Sequence, residues 1–417
     1  MKTRAVRIYG KNDLRLEEFE LPEMREDEIL AHVMSDSICM SSYKAASQGS
    51  DHKRIPGDIH IHPTIIGHEF SGEILQVGTK WKHRFCPGTR FSIQPAMNYR
   101  GSLDAPGYSY RFIGGDATYV VIPNEVMEMN CLLEYTGEGW FNASLSEPMS
   151  CIVGAFNANY HTCPGSYVHR MGVVKGGNMA ILAGAGAMGL GAVDYALQCD
   201  HRPGLLVVTD IDDQRLDRAE SLFSPAAEQS GCRLQFVNTA RLENPDEFLM
   251  DLTAGKGYDD VFVFAPVKTV TEMAGRLLSR DGCLNFFAGP TDPSFRAEFN
   301  FYNVHYASTH VVGTSGGNTD DMVEALRLMS KGSINPAVMI THIGGLDAVI
   351  PTTLNLPNIS GGKKLIYTNI DLPLTALSEF GEKGKSDPLF QDLAQLVNKH
   401  NGLWNTEAEA RLIGSDE

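Results

Sequence analysis

The amino-acid sequence predicts an α/β protein in which a β-rich domain is followed by a doubly wound parallel sheet. Two observations lead to this prediction. Up to about residue 130 the chain reads as short strands separated by glycine-containing turns, and from Asn178 it alternates short apolar strands with helix-length amphipathic segments. Its 417 residues show no internal repeat, and this length corresponds to about two or three domains.

The β-rich part contains four segments with the composition and length of strands. They are Ala5–Tyr9, Glu28–Val33, Phe70–Val77 and Ala117–Ile122. Turn-forming residues separate them, such as the pair Pro87-Gly88. These signals predict a sheet-based domain at the N-terminus.

The second part contains six short, unbroken apolar segments, which are typical of strands buried on both faces of a parallel sheet. They are Met179–Ala183, Leu205–Thr209, Leu234–Val237, Val261–Ala265, Leu284–Ala288 and His310–Gly313. Helical periodicity at 188–197, 214–223 and 270–278 places helices between these strands. Strands joined by crossovers of this length fit a doubly wound sheet.

The last part of the chain contains a predicted helix, Asp320–Lys331, and a predicted strand, Lys364–Tyr367. A polar tail with a helix at Pro388–Asn398 follows. This tail is too short to form a domain of its own. We therefore expect it to pack on the N-terminal domain.

Composition argues against several classes of function. The net charge of −16 is atypical of a protein that binds the phosphate backbone of nucleic acids. The N-terminus lacks the apolar core of a signal peptide, and the longest apolar run, Ala180–Val193, has 14 residues, too few for a membrane helix. The eight cysteines form no CxxC pair, which argues against a disulfide scaffold. We expect a cytoplasmic protein that binds neither nucleic acid nor membranes.

A glycine-rich segment predicts a dinucleotide site. Gly184, Gly186 and Gly189 form a G-x-G-x-x-G pattern that follows a predicted buried strand and opens a predicted helix. In that context the glycines allow a tight turn, close approach of a pyrophosphate and close packing of the helix. The phosphates then lie at the helix N-terminus, near Ala187 and Met188. The alternative is a turn whose glycines serve only packing.

The end of the second strand favours NAD over NADP. Asp210 lies 21 residues beyond Gly189, where a carboxylate can accept hydrogen bonds from the adenosine ribose and repel a 2′-phosphate. Asp212 and Asp213 add negative charge, whereas Arg215 is a nearby cation. NAD is therefore the expected cofactor, and NADP is the alternative.

Four residues in the first part of the chain suggest a metal site. Cys39, His68, Glu69 and Glu147 offer a thiolate, an imidazole and carboxylates, which suit a catalytic zinc with an open position for substrate. Taken singly, Cys39 also fits a buried free thiol and His68 a hydrogen-bonded core histidine.

Together these features resemble the zinc-dependent medium-chain dehydrogenase/reductase family. Gly67-His68-Glu69, Glu147-Pro148 and the glycine-rich segment occur in the family's order, and Glu147 in place of a second cysteine is similar to the polyol dehydrogenase branch. Longer runs resemble bacterial sugar-phosphate reductases of that branch. These runs are Ile66–Phe70, Gly154–His161, Asn285–Pro290 and Gly313–Asp321.

The resemblance implies a domain plan and a role for each site residue. It implies a GroES-like catalytic domain over 1–155, an NAD-binding Rossmann domain over 156–317, and a return to the catalytic domain with a C-terminal tail over 318–417. Cys39 and His68 would be zinc ligands, Glu69 and Glu147 would supply the remaining carboxylate and the support for a bound water, and Ser41 would relay the substrate proton. The zinc would act as a Lewis acid on the substrate oxygen.

The sequence departs from the family pattern at two places. Met40 follows Cys39, where the family usually has glycine. The family's four-cysteine structural zinc lobe is missing, because no cysteine lies between Cys86 and Cys131. We therefore expect one catalytic zinc and no structural zinc.

A basic segment suggests a phosphorylated substrate. His52, Lys53 and Arg54 lie between Cys39 and His68 and could hold a sugar phosphate by charge-assisted hydrogen bonds. The alternative is a solvated surface loop.

The expected reaction is hydride transfer between NAD(P)(H) and a small molecule, a ketose or polyol, with a sugar phosphate such as L-sorbose 1-phosphate as the expected substrate. An unphosphorylated polyol or threonine-type dehydrogenase is the alternative, and a non-catalytic nucleotide-binding protein is a third interpretation. The resemblance also implies a homodimer or homotetramer, with His310–Gly313 as a candidate strand for pairing between subunits.

Overall fold

A computed structural model describes residues 1–163 and 165–414, which divide into two units. The first unit contains Met1–Pro148, Asn318–Gly332 and the described residues from Pro336 onwards. The second contains Met149–Gly317 and Ser333–Asn335. Within the described residues, no helix combines the length and the apolar character that a membrane crossing requires.

The strands are β1 Lys2–Gly10, β2 Asp13–Glu20, β3 Ile29–Ile38, β4 Thr64–Ile65, β5 Phe70–Val77, β6 Arg90–Ile93, β7 Tyr119–Ile122, β8 Leu132–Glu134, β9 Tyr160–Thr162, β10 His169–Met171, β11 Asn178–Leu182, β12 Leu205–Asp210, β13 Arg233–Asn238, β14 Tyr258–Val263, β15 Leu278–Phe286, β16 His310–Gly313, β17 Ile340–Gly345, β18 Lys363–Tyr367 and β19 Thr375–Ala376.

The α-helices are α1 Met40–Gln48, α2 Asn124–Glu128, α3 Trp140–Ser144, α4 Ser146–Ala158, α5 Ala187–Gln198, α6 Asp213–Ser230, α7 Pro245–Asp251, α8 Lys268–Leu277, α9 Phe301–Ala307, α10 Thr319–Ser330, α11 Val349–Asn355, α12 Phe380–Lys383, α13 Pro388–Lys399 and α14 Thr406–Ile413.

The first unit is built on an eight-stranded, mostly antiparallel sheet. Its order is β19-β17-β18-β3-β5-β6-β8, with β7 also paired to β3. A smaller sheet has the order β2-β1-β4. Strand β3 lies at the centre and is buried along most of its length, since its residues Ile29, Ala31 and Val33 pack in a core with Phe70 and Phe91. The predicted β-rich architecture of this region and its four predicted strands are confirmed, as is the strand at 364–367.

The second unit contains a six-stranded parallel sheet with the order β13-β12-β11-β14-β15-β16. All six predicted strands are present, and this order is that of a doubly wound nucleotide-binding sheet. Strands β11, β12 and β14 are the most deeply buried, as their unbroken apolar sequences predict.

One helix extends beyond its prediction. Helical periodicity predicts a helix over 214–223, whereas α6 continues through Pro225 to Ser230. The helix continues because its apolar face is buried on both sides of this proline, at Leu216, Phe223 and Ala227. Burial of that face outweighs the hydrogen bond that the proline removes.

The C-terminal tail packs within the first unit. Glu409 on α14 is buried, and its carboxylate accepts hydrogen bonds from the backbone N–H groups of Trp140 at 2.7 Å and Phe141 at 2.9 Å. It also accepts one from the Tyr367 hydroxyl at 2.7 Å. Because Trp140 and Phe141 open α3, a side chain of the tail satisfies the N-terminal amides of that helix.

Candidate functional site

Cys39, His68 and Glu69 form a cluster of potential metal ligands in the first unit. The thiol sulfur, an imidazole nitrogen and a carboxylate oxygen all lie within 4.8 Å of one another. His68 and Glu69 are buried and Cys39 is partly buried. Residues that are 29 positions apart in the sequence therefore meet at one point in the structure.

Pairing of β3 with β5 brings these residues together. The two strands are antiparallel, with Asp36 opposite Phe70, so the end of β3 lies beside the start of β5. Cys39 directly follows β3, and Glu69 directly precedes β5. The turn before His68 requires glycine, because Gly67 has a φ of +89° and a Cβ there would lie 2.7 Å from the Asp116 nitrogen.

Hydroxyl groups surround both nitrogens of His68. The Ser42 hydroxyl lies 3.4 Å from Nδ1, while the hydroxyls of Ser41 and Tyr108 lie 3.1 Å and 3.2 Å from Nε2. Ser41 also donates to the Cys39 sulfur at 3.1 Å. Burial lowers the pKa of His68, so the imidazole is neutral near pH 7, as a metal ligand must be.

Lys363 pairs with Glu69 in the interior. Its ammonium nitrogen lies 2.5 Å and 2.6 Å from the two carboxylate oxygens, and both side chains are almost fully buried. Burial opposes the charge of each group, but Lys363 still holds the pKa of Glu69 below its ordinary value, and Glu69 raises that of Lys363. Sequence reasoning missed Lys363. The signal available in the sequence is that Lys363 directly precedes the predicted strand Lys364–Tyr367.

Glu147 lies in the first turn of α4 and is buried. Burial, followed by the nearby Glu69 charge, raises the pKa of Glu147 to about 7. The preceding Ser146 is held by a 2.8 Å hydrogen bond between its hydroxyl and that of Ser92 on β6. Glu147 is not part of the three-residue ligand cluster, but it lies close enough for the charges of Glu69, His68 and Cys39 to act on its pKa.

The basic segment reaches this cluster through Tyr108. The His52 ring is parallel to that of Tyr108 with centroids 5.7 Å apart, and the Arg54 guanidinium carbon lies 5.7 Å from the Tyr108 centroid. Burial, with the charges of Lys53 and Arg54, lowers the pKa of His52 to about 4, so His52 is uncharged near pH 7. Lys53 is exposed. Arg54 is therefore the charged residue of this segment that packs against the site.

The predicted dinucleotide turn lies in the second unit between β11 and α5. A Cβ at Gly184 would lie 2.6 Å from an Ile181 methyl, and one at Gly189 would lie 2.2 Å from the Gly184 oxygen. A Cβ at Gly186 would meet nothing within 4 Å. Two glycines thus allow packing within the protein, whereas Gly186 leaves open space where Ala187 and Met188 start the helix. This arrangement fits a bound pyrophosphate.

Asp210 ends β12 beside that turn. Its carboxylate accepts hydrogen bonds from the backbone N–H of Ala185 at 3.1 Å and of Ile211 at 2.8 Å. Asp212 caps α6 by accepting from the Arg215 N–H at 3.2 Å, and its carboxylate lies 3.6 Å from the Arg215 Nε. The cation nearest in sequence to this strand end is therefore paired with a carboxylate.

We expect Gly186→Val to weaken dinucleotide binding without destabilising the fold. Its side chain would occupy the open space at the helix N-terminus and weaken NADH binding at least about tenfold. Gly184→Val is the matched control and should instead lower stability by about 1–3 kcal/mol through overpacking. NADH fluorescence titration and thermal unfolding separate the two effects. Unchanged NADH affinity in Gly186→Val would contradict the predicted location.

The residues present fit a zinc ion. A thiol, a neutral imidazole and a carboxylate within one buried cluster are the donor types that zinc uses in catalytic sites. Positive charge there would favour the thiolate of Cys39, whose pKa burial raises in the metal-free protein. The first unit thus contains a cluster that fits a metal ion, and the second contains a turn that fits a dinucleotide.

Comparison with known proteins identifies the family. Residues 25–130 match the model of the alcohol dehydrogenase GroES-like domain, and residues 187–331 match that of zinc-binding dehydrogenases. The chain belongs to the zinc-dependent medium-chain dehydrogenase/reductase family, in its polyol dehydrogenase branch, and is an alcohol or polyol oxidoreductase. The predicted family and the GroES-like and Rossmann fold classes are confirmed.

Two curated relatives match the chain over almost its whole length. The chain is 51% identical to L-sorbose 1-phosphate reductase of Klebsiella pneumoniae, over 100% of this chain and 98% of that protein. It is also 51% identical to mannitol-1-phosphate 5-dehydrogenase of Aliivibrio fischeri, over 99% and 97% of the two chains. The crystal structure of 2R,3R-butanediol dehydrogenase from Bacillus subtilis shares the fold, with a TM-score of 0.69, 20% identity and coverage of 88% and 100%.

Proposed function

We propose that this chain reduces a ketose phosphate with NADH, or oxidises the corresponding polyol phosphate with NAD, at a zinc held by Cys39, His68 and Glu69. The observation that carries the proposal is the buried cluster of these three residues, which Tyr108 connects to Arg54. The two full-length relatives are named for the phosphorylated substrates mannitol 1-phosphate and L-sorbose 1-phosphate.

Each residue of the cluster has a part in the proposed mechanism. When bound, zinc supplies a Lewis acid for the substrate oxygen, and the nicotinamide supplies a hydride. The Ser42 hydroxyl lies where it can accept a proton from Nδ1 of His68, and that tautomer would leave the Nε2 lone pair for the metal. Lys363 orients the Glu69 carboxylate, and Glu147 is a second carboxyl group close to Glu69. During reduction the carbonyl carbon gains the hydride, and its oxygen gains a proton through the Ser41 hydroxyl.

The proposed cofactor is NAD rather than NADP. The carboxylate of Asp210 lies at the end of β12, where it suits the adenosine ribose and disfavours a 2′-phosphate. Two cations near this strand end, Arg215 and Arg241, are each paired with a carboxylate, of Asp212 and Asp213 respectively. Either arginine would therefore have to leave its carboxylate partner before it could bind a 2′-phosphate.

For assembly we propose a homodimer or homotetramer that pairs β16 with its copy. Strand β16 is at the edge of the parallel sheet, and Val311 on it is 50% exposed. The adjoining helix α9 exposes Phe301, Tyr302 and Tyr306. A mass in solution of two or four chains would support this assembly, and a monomeric mass would contradict it.

A substrate panel tests the proposed function. L-Sorbose 1-phosphate and L-sorbose are compared with NADH and with NADPH, and mannitol 1-phosphate and mannitol with NAD and with NADP. We expect turnover of the phosphorylated sugars and polyols. For these substrates kcat/KM should be at least about tenfold higher with NAD(H) than with NADP(H). Equal turnover of the free sugars would instead indicate a general polyol dehydrogenase. Nucleotide binding without any turnover would favour a non-catalytic protein.

We expect Arg54→Gln to raise KM for L-sorbose 1-phosphate by about 10- to 100-fold, because a charge-assisted hydrogen bond contributes about 1.5–3 kcal/mol. KM for any free sugar should change less than about twofold. Lys53→Gln is the matched control, since Lys53 is the neighbouring cation and is exposed. The idea fails if both substrates are affected equally, or if Lys53→Gln has the larger effect.

A further inference from the structure

We propose that Tyr108 binds the substrate, with its hydroxyl at the reacting oxygen and its ring as the support for Arg54. This inference rests on the proposed function and names a residue that links its two halves. Tyr108 belongs to none of the sequence patterns that predict the metal site or the basic segment. It is nevertheless the residue through which the structure connects them.

The backbone fixes Tyr108 against the metal-binding segment. Gly107 has a φ of +77°, and a Cβ there would lie 2.0 Å from the Gly67 oxygen, so the two chain segments are in direct backbone contact. The Gly115 N–H donates to the Gly67 oxygen at 2.7 Å. The Thr64 hydroxyl donates to the Tyr108 carbonyl at 2.7 Å. The position of the Tyr108 side chain is therefore set by main-chain packing on both sides.

The hydroxyl of Tyr108 approaches the nitrogen of His68 that faces the cluster. It lies 3.2 Å from Nε2, and the Ser41 hydroxyl lies 3.1 Å from the same atom. A metal bound to Nε2 takes the lone pair that these hydroxyls would otherwise use. Both hydroxyls would then be free to contact the substrate oxygen. Two neighbouring hydroxyls allow one to pass the proton while the other donates a fixed hydrogen bond.

The ring of Tyr108 packs between the metal ligand and the basic segment. Its centroid is 4.7 Å from that of His68 and 5.7 Å from that of His52. Arg54 is held beside it, since its Nη1 donates to the Leu103 carbonyl at 3.2 Å and its own carbonyl accepts from the Ser109 hydroxyl at 2.7 Å. The ring thus fixes how far the guanidinium lies from the reacting centre, which is a basis for selecting substrates by phosphate position.

Two substitutions separate the hydroxyl from the ring. Tyr108→Phe keeps the ring and should lower kcat about 10- to 100-fold for L-sorbose 1-phosphate, with KM changed less than about threefold. Tyr108→Leu removes the ring as well and should also raise KM for L-sorbose 1-phosphate about tenfold. Tyr110→Phe is the matched control, because Tyr110 lies two residues away and is half-buried.

A binding measurement supplies a readout that does not depend on turnover. Isothermal titration of L-sorbose 1-phosphate into the zinc-loaded protein should give a Kd about tenfold weaker for Tyr108→Leu and changed less than about threefold for Tyr108→Phe. Elemental analysis should show the same zinc content in all variants. A Tyr108→Phe variant that has full zinc and the wild-type kcat would overturn the role of the hydroxyl. Loss of zinc from that variant would overturn it too, because Tyr108 would then support the metal.

Failure of this inference is distinct from failure of the proposed function. If the wild-type protein turns over no sugar phosphate and binds none, the proposed function is wrong, and the proposal for Tyr108 falls with it. If the wild-type protein is active and binds L-sorbose 1-phosphate, but Tyr108→Leu has the same Kd, only the role of the ring is overturned.

Discussion

Replacement of Cys39 by serine is expected to abolish zinc binding and to lower kcat/KM at least about 10³-fold. Cys39 supplies the sulfur of the cluster, and its atom lies within 4.8 Å of the nitrogen and oxygen ligands from His68 and Glu69. A serine hydroxyl is a poor substitute for a thiolate on zinc. Loss of the Lewis acid removes several kcal/mol of transition-state stabilisation, which corresponds to a rate effect of about this size.

The matched control for this variant is Cys86→Ser. Cys86 is an exposed free cysteine in the same unit, so the same chemical change there should leave zinc content and kcat/KM unchanged within about twofold. Elemental analysis and steady-state kinetics are measured on both variants. Retention of one zinc and of most activity in Cys39→Ser would contradict the assignment of Cys39 as a ligand.

Replacement of Lys363 by methionine is expected to destabilise the first unit by about 3–5 kcal/mol. The variant leaves the Glu69 carboxylate buried without its cation, and both side chains are less than one tenth exposed. Removal of one partner of a buried pair exposes the full cost of burying the other charge. Urea unfolding of the zinc-free protein measures this effect directly.

A double variant and a surface control make that prediction specific. Glu69→Gln with Lys363→Met should recover much of the stability, because the buried charge is gone, but it should not recover zinc binding. Lys80→Met removes an exposed partner of Glu128 and should cost less than about 1 kcal/mol. Similar stability losses in Lys363→Met and Lys80→Met would show that the buried pair does not have the role described.

The sequence predicts the fold well because its strands are strongly patterned. Apolar runs such as Leu205–Thr209 predict the parallel sheet, and the glycines at 184–189 predict the tight turn between β11 and α5. Strand β2 and helix α4 were not predicted. Strand β2 is rich in charged residues, and Leu14 is its single buried residue, so its position depends on pairing with β1 rather than on its own composition.

The cluster of potential metal ligands was predicted in part. Cys39, His68, Glu69 and Glu147 were predicted by residue type and by family resemblance, whereas Lys363 was missed. Lys363 is 294 positions from Glu69 and reaches it only because β18 pairs with β3. No local pattern encodes a contact that depends on the order of strands in a sheet.

For the basic segment, the sequence shows the charged residues but not their surroundings. Its charges are visible in the sequence, but the sequence does not show which of them are solvated. His52 was considered as a phosphate ligand, yet burial makes it neutral near pH 7, and Lys53 is exposed. Arg54 is the cation of this segment whose guanidinium lies beside the Tyr108 ring. The position of Tyr108 in turn depends on the close approach of Gly107 to Gly67.

Zinc stoichiometry, combined with removal and restoration of the metal, tests the central claim most directly. We predict one zinc per chain, loss of NADH oxidation with L-sorbose 1-phosphate after removal of the metal by a chelator, and recovery when zinc is returned. Full turnover by protein shown to be free of metal would contradict the claim that this cluster holds a catalytic zinc.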